Sequence, residues 1–331
     1  MRKALYTLVS LVAVAAAVGS TLSLLVDTPS RYLKFLDFPR LQFFWAALAS
    51  VPAFVALTRR WRWYDYALVG GLVAAAGIQA YYLIAYTTVY PVSLADAPAD
   101  APADRTVRLL ISNVLQDNRD ARPLLDLIAA EDPDVVIAME TDARWVDALA
   151  PARRRYPHVE AQPNNVAYGM LLMSRFPLAD TRVRYLQNEQ VPSIHTTLRL
   201  RGGDEVDLHA VHPVPPTRYQ DLPDNEGQSE RAFLMIGELV QQRGRPAVVA
   251  GDFNDVAWAR TDRMIGVEDL LHDVRTGRGI YASFDADNPL MRWPLDHVFA
   301  TRDLAVARLE LGPDIGSDHF PVLVDLVYDP Q

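Results

Sequence analysis

An α+β sandwich, with two packed mixed β-sheets flanked by helices and an N-terminal transmembrane helical region before it, is the fold that this 331-residue sequence predicts. The first ninety residues consist mainly of long apolar runs, whereas the later residues alternate short β-rich segments with amphipathic ones. Several of the later β-rich segments follow one another without a helix between them. That order favours antiparallel pairing in two sheets over a doubly wound parallel sheet.

The N-terminal region contains three apolar runs, at residues 4–26, 41–57 and 66–89. The first is long enough to cross a hydrocarbon core of about 30 Å as a helix. A cleavable signal peptide is the alternative for this run, because Arg2 and Lys3 precede it and small residues surround Gly19. The later runs would hold the chain in the membrane in either case. We therefore predict a membrane anchor of about three transmembrane helices over residues 1–90.

Basic residues near the ends of these runs predict the orientation, since such residues favour the cytoplasmic side. Arg59, Arg60 and Arg62 lie between the second and third runs, and Arg2 and Lys3 precede the first. This places the N-terminus inside and everything after residue 89 outside. The sequence thus predicts a multi-pass protein of the cell membrane, with the lipid bilayer as a partner and its soluble domain outside the cytoplasm.

Residues 91–104 (PVSLADAPADAPAD) are predicted to form a semi-extended linker, because they contain little apolar surface and much proline. Residues 105–331 then form the soluble domain. Residues 91–331 contain 38 acidic and 24 basic residues, a balance that disfavours nucleic acid as a partner. The sequence has no cysteine, which excludes disulfides, thiolate metal sites and cysteine nucleophiles.

Polar residues stand next to several of the predicted buried strands. Taken singly, each could be a turn former or a helix cap. Their joint occurrence instead predicts one site at the edge of the sheets, built from Asn113, Glu140, His212, Asp252, Asn254, Asp318 and His319.

The segments around these residues are ISN, DVVIAMET, MSRFPL, AVHP, GDFND, PLDHVFAT and GSDHFPV. In this order they resemble the endonuclease/exonuclease/phosphatase superfamily, with its deoxyribonuclease I-like fold, from about residue 105 to 328. The three-span layout and the HPVPP turn further resemble bacterial membrane-anchored members that are linked to lipid-pyrophosphate phosphatase activity and glycopeptide resistance.

A phosphoester anion repels a nucleophile, so its hydrolysis needs a hard divalent cation on oxygen ligands, and Glu140 is suited to hold one. The resemblance implies Mg²⁺, with Mn²⁺ as the alternative, and adds Asn113 and Asp318 as metal ligands. It also implies that Asn113 and Arg175 bind substrate. Leu115 stands where nuclease members often carry an acidic residue, so a single metal ion is expected.

The same resemblance implies five catalytic residues. Asp252 orients or deprotonates the attacking water, and Asn254 donates its amide towards the phosphorus. His319, held by Asp296, binds a phosphate oxygen or takes part in proton transfer, so Asn254 and His319 also bind substrate. His212 donates a further hydrogen bond to the negatively charged phosphoryl oxygens.

The predicted function is that of a membrane-anchored, divalent-metal-dependent phosphoesterase that hydrolyses a phosphate ester or pyrophosphate outside the cytoplasm, with a lipid-linked substrate preferred. One alternative is an extracytoplasmic nuclease acting on DNA or RNA, with a local arginine surface such as Arg153, Arg154 and Arg155. A second alternative is a membrane-anchored binding protein without catalysis.

Overall fold

The computed structural model describes residues 2–25, 31–215, 229–259 and 270–329, and the chain divides into two compact units, Met1–Tyr90 and Pro91–Gln331. The described helices of the first unit are α1 (Arg2–Leu22), α2 (Arg31–Lys34), α3 (Arg40–Leu57) and α4 (Trp63–Leu83), with 3₁₀ turns at Phe35–Asp37 and Ile84–Tyr86. Three stretches, Lys3–Leu22, Arg40–Leu57 and Trp63–Tyr86, are long and apolar enough to span a membrane. This suggests that the chain associates with a membrane.

Small side chains pack the three long helices together, namely Ala13 and Ala16 of α1, Ala47 of α3 and Ala75 of α4, around Leu72. Such residues let helix backbones approach closely where the surroundings are apolar.

A buried polar network also links these helices. Arg40 is fully buried, and its guanidinium donates to Asp37, to Ser23 Oγ at 3.1 Å and to Gln79 Oε1 at 3.1 Å. The same group lies 3.8 Å from the centre of the Tyr82 ring. A buried charge is stable only when it is paired and hydrogen-bonded, and this network meets both conditions.

The second unit contains two six-stranded mixed sheets, which confirms the predicted sandwich. The first sheet has the order β11-β12-β1-β2-β4-β3, with β1 Thr106–Asn113, β2 Val135–Met139, β3 His158–Gln162, β4 Met170–Ser174, β11 Leu304–Leu311 and β12 Val322–Tyr328. The second has the order β5-β6-β7-β8-β10-β9, with β5 Leu178–Arg184, β6 Ser193–Arg199, β7 Glu205–Ala210, β8 Ala247–Asp252, β9 His272–Asp273 and β10 Asp296–Ala300. The helices of this unit are α5 Arg122–Glu131, α6 Ala143–Ala148, α7 Ala150–Arg153 and α8 Ser229–Arg243.

The burial of β2 shows why its sequence, VVIAM, is apolar throughout. Val135, Ile137 and Met139 face the core between the two sheets, whereas Val136 and Ala138 face a second core that includes Leu124, Leu127 and Ile128 of α5. A strand that is covered on both faces carries a continuous apolar run instead of an alternating one.

Strand register brings the ends of several strands to one edge. β1 and β2 run parallel with Asn113 opposite Met139, and β8 pairs antiparallel with β10 so that Asp252 lies opposite Asp296. The two sheets touch here, because the backbone N–H of Asp252 donates to Met139 Sδ at 3.0 Å. The polar residues at these strand ends therefore share one region.

The first half of the predicted linker packs onto the sheets of the second unit. Leu94 is buried in the core between the sheets, and the N–H of Ala97 donates to the carbonyl of Val306 at 2.9 Å. Ser93 Oγ donates to the carbonyl of Asp273 at 2.8 Å. This segment packs here because β11 is an edge strand, whose outer backbone groups can pair with it. Leu94 adds an apolar contact.

Candidate active site

Asn113 lies at the centre of the strand ends. Its Nδ2 donates to Glu140 Oε1 at 2.9 Å and to Asp252 Oδ2 at 3.0 Å. Its Oδ1 accepts the N–H of Leu115 at 3.0 Å, and the other oxygen of Glu140 accepts the N–H of Gln116 at 3.1 Å. Asn113 thus connects the carboxylates of the two sheets, and in this structure its amide positions Glu140 instead of presenting an oxygen to a cation.

The carboxylates of Glu140, Asp252 and Asp318 crowd one another. Burial raises the pKa of Asp318, the nearby His319 lowers it, and the charges of Glu140 and Asp252 raise it further, to about 6. A bound cation would neutralise this repulsion. The oxygen-rich set fits a hard divalent ion, so the residues suited to hold one are Glu140 and Asp318, with Asn113 as their support.

A buried histidine–carboxylate pair stands beside this group. His319 Nδ1 is 2.7 Å from Asp296 Oδ2, and its Nε2 is 3.6 Å from Asp252 Oδ2. Burial lowers the pKa of His319, but the charges of Asp296 and Asp252 outweigh burial and raise it to about 10. Burial raises the pKa of Asp252, but His319 and His212 outweigh burial and lower it well below its usual range. At neutral pH the site therefore holds an imidazolium against a carboxylate.

Asp252, Asp296 and His319 also place one ligand atom each within 4.8 Å of the others, a spacing that a metal ion could use. The geometry of His319 argues against this use. Its Nδ1 is engaged by Asp296, and a protonated ring repels a cation.

His212 and Asn254 complete the surroundings of Asp252. His212 Nε2 lies 3.5 Å from Asp252 Oδ2, and its Nδ1 is buried without a hydrogen-bond partner among the described residues. The N–H of Asn254 donates to Asp252 Oδ1 at 2.8 Å, and its Nδ2 donates to the carbonyl of Pro213 at 3.0 Å. Asp252 thus has one oxygen fixed by backbone and the other facing two imidazoles.

The backbone around the site adopts uncommon conformations. Leu115, Glu140 and Asn254 have φ values of 55°, 60° and 53°, in the left-handed region that non-glycine residues seldom occupy. Gly251 has φ 151°, and a Cβ there would lie 1.8 Å from the carbonyl oxygen of Val211. Turns of this kind cost about 1–3 kcal/mol each and cluster where side chains must be held for function.

Tyr168 is a site residue that the sequence analysis missed. It is 1 % exposed, its ring centre is 5.1 Å from that of His212, and its hydroxyl has no partner among the described residues. Burial, and after it the charges of Asp252 and Glu140, raise its pKa, so the hydroxyl stays a donor. The neighbouring Gly169 allows this close packing, since a Cβ there would lie 1.8 Å from the carbonyl oxygen of Thr141, directly after Glu140.

Ser317 was missed as well. Its hydroxyl donates to the carbonyl of Asn113 at 2.8 Å and accepts the N–H of His319 at 3.1 Å. It therefore connects the segment carrying Asp318 and His319 to the end of β1.

The structure does not bring Arg175 to the candidate site. Arg175 follows Ser174, which pairs with Val135 at the start of β2, whereas Glu140 follows the other end of that strand. Its guanidinium forms an ion pair with Asp132. The serine–arginine motif therefore stabilises the far end of the sheet.

The profile of the family described as "Endonuclease/Exonuclease/phosphatase family" matches residues 110–319, more than half of the chain. A comparison with curated protein sequences finds no match. Among solved structures, an endonuclease/exonuclease/phosphatase from Beutenbergia cavernae is 23% identical, with a TM-score of 0.53 over 68% of this chain and 72% of that one. One from Bacteroides vulgatus is 18% identical, with a TM-score of 0.56 over 68% and 99%. D. rerio TDP2 in complex with a single-strand DNA product is 16% identical, with a TM-score of 0.53 over 67% and 98%.

Proposed function

Because the chain belongs to the Endonuclease/Exonuclease/phosphatase family and is a metal-dependent phosphoric ester hydrolase, we propose that it hydrolyses a phosphate ester or pyrophosphate at the membrane surface, outside the cytoplasm. The observation that carries this proposal is the arrangement around Asp252: His212 and His319 face its Oδ2, and Asn113 links the same oxygen to Glu140. Phosphoryl transfer needs a general base, a positively charged hydrogen-bond donor and a group of carboxylates that can bind a cation.

The proposed reaction is the attack of water on phosphorus. Asp252 accepts a proton from the water while the new bond to phosphorus forms and the bond to the leaving oxygen breaks. His319, protonated and oriented by Asp296, donates to a non-bridging phosphoryl oxygen. His212 and Asn254 donate to the same phosphoryl group, for which Asn254 uses the N–H that does not bond Pro213.

Mg²⁺, with Mn²⁺ as the alternative, is the ion proposed for Glu140 and Asp318. When bound, it supplies charge that offsets the negative charge developing on the phosphoryl oxygens.

We further propose that the substrate is small or lipid-linked. Three helices of spanning length support membrane attachment, and the acidic composition of residues 91–331 disfavours long polyanions. A nuclease is the second candidate, and the likeness to D. rerio TDP2 in complex with a single-strand DNA product favours it. The exposed Arg154 and Arg155 lie near Asp132 instead, at the other end of the sheet from Glu140.

In the test, the purified full chain in detergent is incubated with Mg²⁺ and one of three substrates: a polyprenyl pyrophosphate, a phosphoinositide or plasmid DNA. We expect phosphate release from at least one lipid and intact plasmid. Cleavage of DNA without phosphate release from the lipids would overturn the proposal. His319→Ala serves as the inactive control, because it removes the donor while leaving the strands in place.

A further inference from the structure

A polar cavity of about 330 Å³ lies beside the candidate active site. We call it the Asn164 pocket, and it is lined by Gln162, Asn164, Asn165, Val166, Tyr185 and Glu189, with neighbouring residues of the same two segments. Its volume falls in the range of small-ligand sites. Nothing in the proposed reaction uses it.

Hydrogen bonds connect this pocket to Glu140 through Gln116 and to the adjacent residue Thr141. The side chain of Gln116 donates to the carbonyl of Asn164 at 2.7 Å, and its backbone N–H donates to Glu140 Oε2 at 3.1 Å. The N–H of Asn164 donates to the carbonyl of Thr141 at 3.2 Å. A group bound in the pocket would therefore lie next to a phosphoryl group held at Glu140.

The walls of the pocket are fixed in place. Asn164 Oδ1 accepts the N–H groups of Val166 and Tyr168 at 3.2 and 3.1 Å, and its Nδ2 donates to the carbonyl of Gln190 at 2.9 Å. Val191 and Tyr168 pack together in a small apolar cluster behind these segments. The pocket is thus preorganised, which reduces the entropy lost when a ligand binds.

The lining is amide-rich, with Glu189 as an acceptor, and no Lys or Arg of the described residues takes part. A free phosphate would find no cation there. Asn165 is exposed and Tyr185 is 51 % exposed, and neither side chain bonds another described residue. Amide groups both donate and accept, as hydroxyls do, and the face of a tyrosine offers apolar contact to a ring.

We propose that the Asn164 pocket binds a sugar or polyol ring that the substrate carries on its phosphoryl group. This inference rests on the proposed function, since it names part of that site's substrate. A polyol fits better than a nucleobase because the polar groups reach the cavity from two chain segments, whereas a base presents its donors and acceptors in one plane. A sugar carries hydroxyls around its whole ring.

The test measures dissociation constants by titration calorimetry on the full chain in detergent with Mg²⁺, in an Asp252→Asn background that suppresses turnover. The probes are glucose 1-phosphate, uridine monophosphate and inorganic phosphate. We expect glucose 1-phosphate to bind roughly tenfold more tightly than inorganic phosphate. Asn165→Ala combined with Tyr185→Ala should reduce this difference to about twofold, the change expected when two such contacts are lost. Gln241→Ala, an exposed amide on α8, is the matched control and should change nothing.

Equal affinities for glucose 1-phosphate and inorganic phosphate would overturn the inference, as would a preference that survives the double substitution. A pocket-dependent preference for uridine monophosphate over the sugar phosphate would also overturn it, in favour of a nucleobase. Hydrolysis of the polyprenyl pyrophosphate or the phosphoinositide by the chain with Asp252 intact separates the two proposals. If hydrolysis is absent but pocket-dependent sugar binding remains, the proposed function fails and the pocket assignment stands.

Discussion

Replacing Asp296 by asparagine tests the histidine–carboxylate pair most selectively. Asparagine keeps the shape of the side chain and can still accept the Nδ1–H of His319, but it removes the negative charge at 2.7 Å. Asp296 is 3 % exposed and His319 is 4 % exposed, so solvent screens this interaction little. The substitution therefore isolates the contribution of the Asp296 charge to the protonation of His319.

The size of the effect follows from the geometry. A hydrogen bond contributes about 1.5–3 kcal/mol when one partner is charged and about 0.5–1.5 kcal/mol when both are neutral. Because asparagine keeps the bond and loses the charge, we expect Asp296→Asn to lower the free energy of unfolding by about 1 kcal/mol at neutral pH. Positioned acid–base groups contribute about 100- to 10,000-fold in rate, so kcat should fall at least about 100-fold.

The pH dependence has a defined sign. The pKa of His319 is raised from 6.5 to about 10, so its stabilising effect is fully present below pH 6.5 and is lost as the pH rises towards 10. In metal-free protein the difference in Tm between wild type and Asp296→Asn should therefore shrink as the pH rises from 6 to 10.

The assay is phosphate release at saturating substrate together with Tm over that pH range. Asp207→Asn is the matched control, because Asp207 is 1 % exposed and bonds Thr197 and Arg243 on another part of the sheet. It should lose stability and keep kcat. An Asp296→Asn variant with unchanged kcat would refute the role of the pair.

Three further substitutions test separate parts of the site. Tyr168→Phe removes a buried hydroxyl without a partner among the described residues, so Tm should stay within a few degrees while kcat falls about tenfold; unchanged kcat would exclude the hydroxyl from the reaction. Gly251→Ala would place a Cβ 1.8 Å from the carbonyl oxygen of Val211, so chemical denaturation should show a loss of at least about 2 kcal/mol, and wild-type stability would contradict the strained geometry. Arg175→Ala should leave kcat/KM within about twofold of wild type, because its ion pair lies at the far end of β4, and a large loss of activity would return Arg175 to the site.

The sequence predicted the strands that are buried on both faces. Val135–Met139 is apolar throughout, and such uninterrupted runs mark strands that are covered on both faces. His158–Gln162, Leu178–Arg184 and Leu304–Leu311 are edge strands, and their residues alternate with charged or half-exposed ones. Their pairing depends on tertiary contacts that a local pattern does not contain.

In the candidate site, too, some residues could be predicted from the sequence and others could not. Residues carried by specific motifs, such as Asp252 and His319, converge as predicted, because strand ends determine their place. Arg175 belongs to an equally clear motif but lies at the other end of its strand, a difference that depends on register. Tyr168 has no distinctive motif, and its role follows only from burial beside two carboxylates.

We propose that Glu140 and its neighbours hold a divalent cation used in phosphoester hydrolysis. The most direct measurement is phosphate release by the full chain as a function of Mg²⁺ concentration, for wild type and Glu140→Gln. Glutamine keeps a group that can accept from Gln116 but loses the charge. We predict activity that saturates with Mg²⁺ and disappears with EDTA in wild type, and an apparent Mg²⁺ affinity at least about tenfold weaker in the variant. Activity that is unaffected by EDTA, or an identical Mg²⁺ dependence in Glu140→Gln, would contradict the claim.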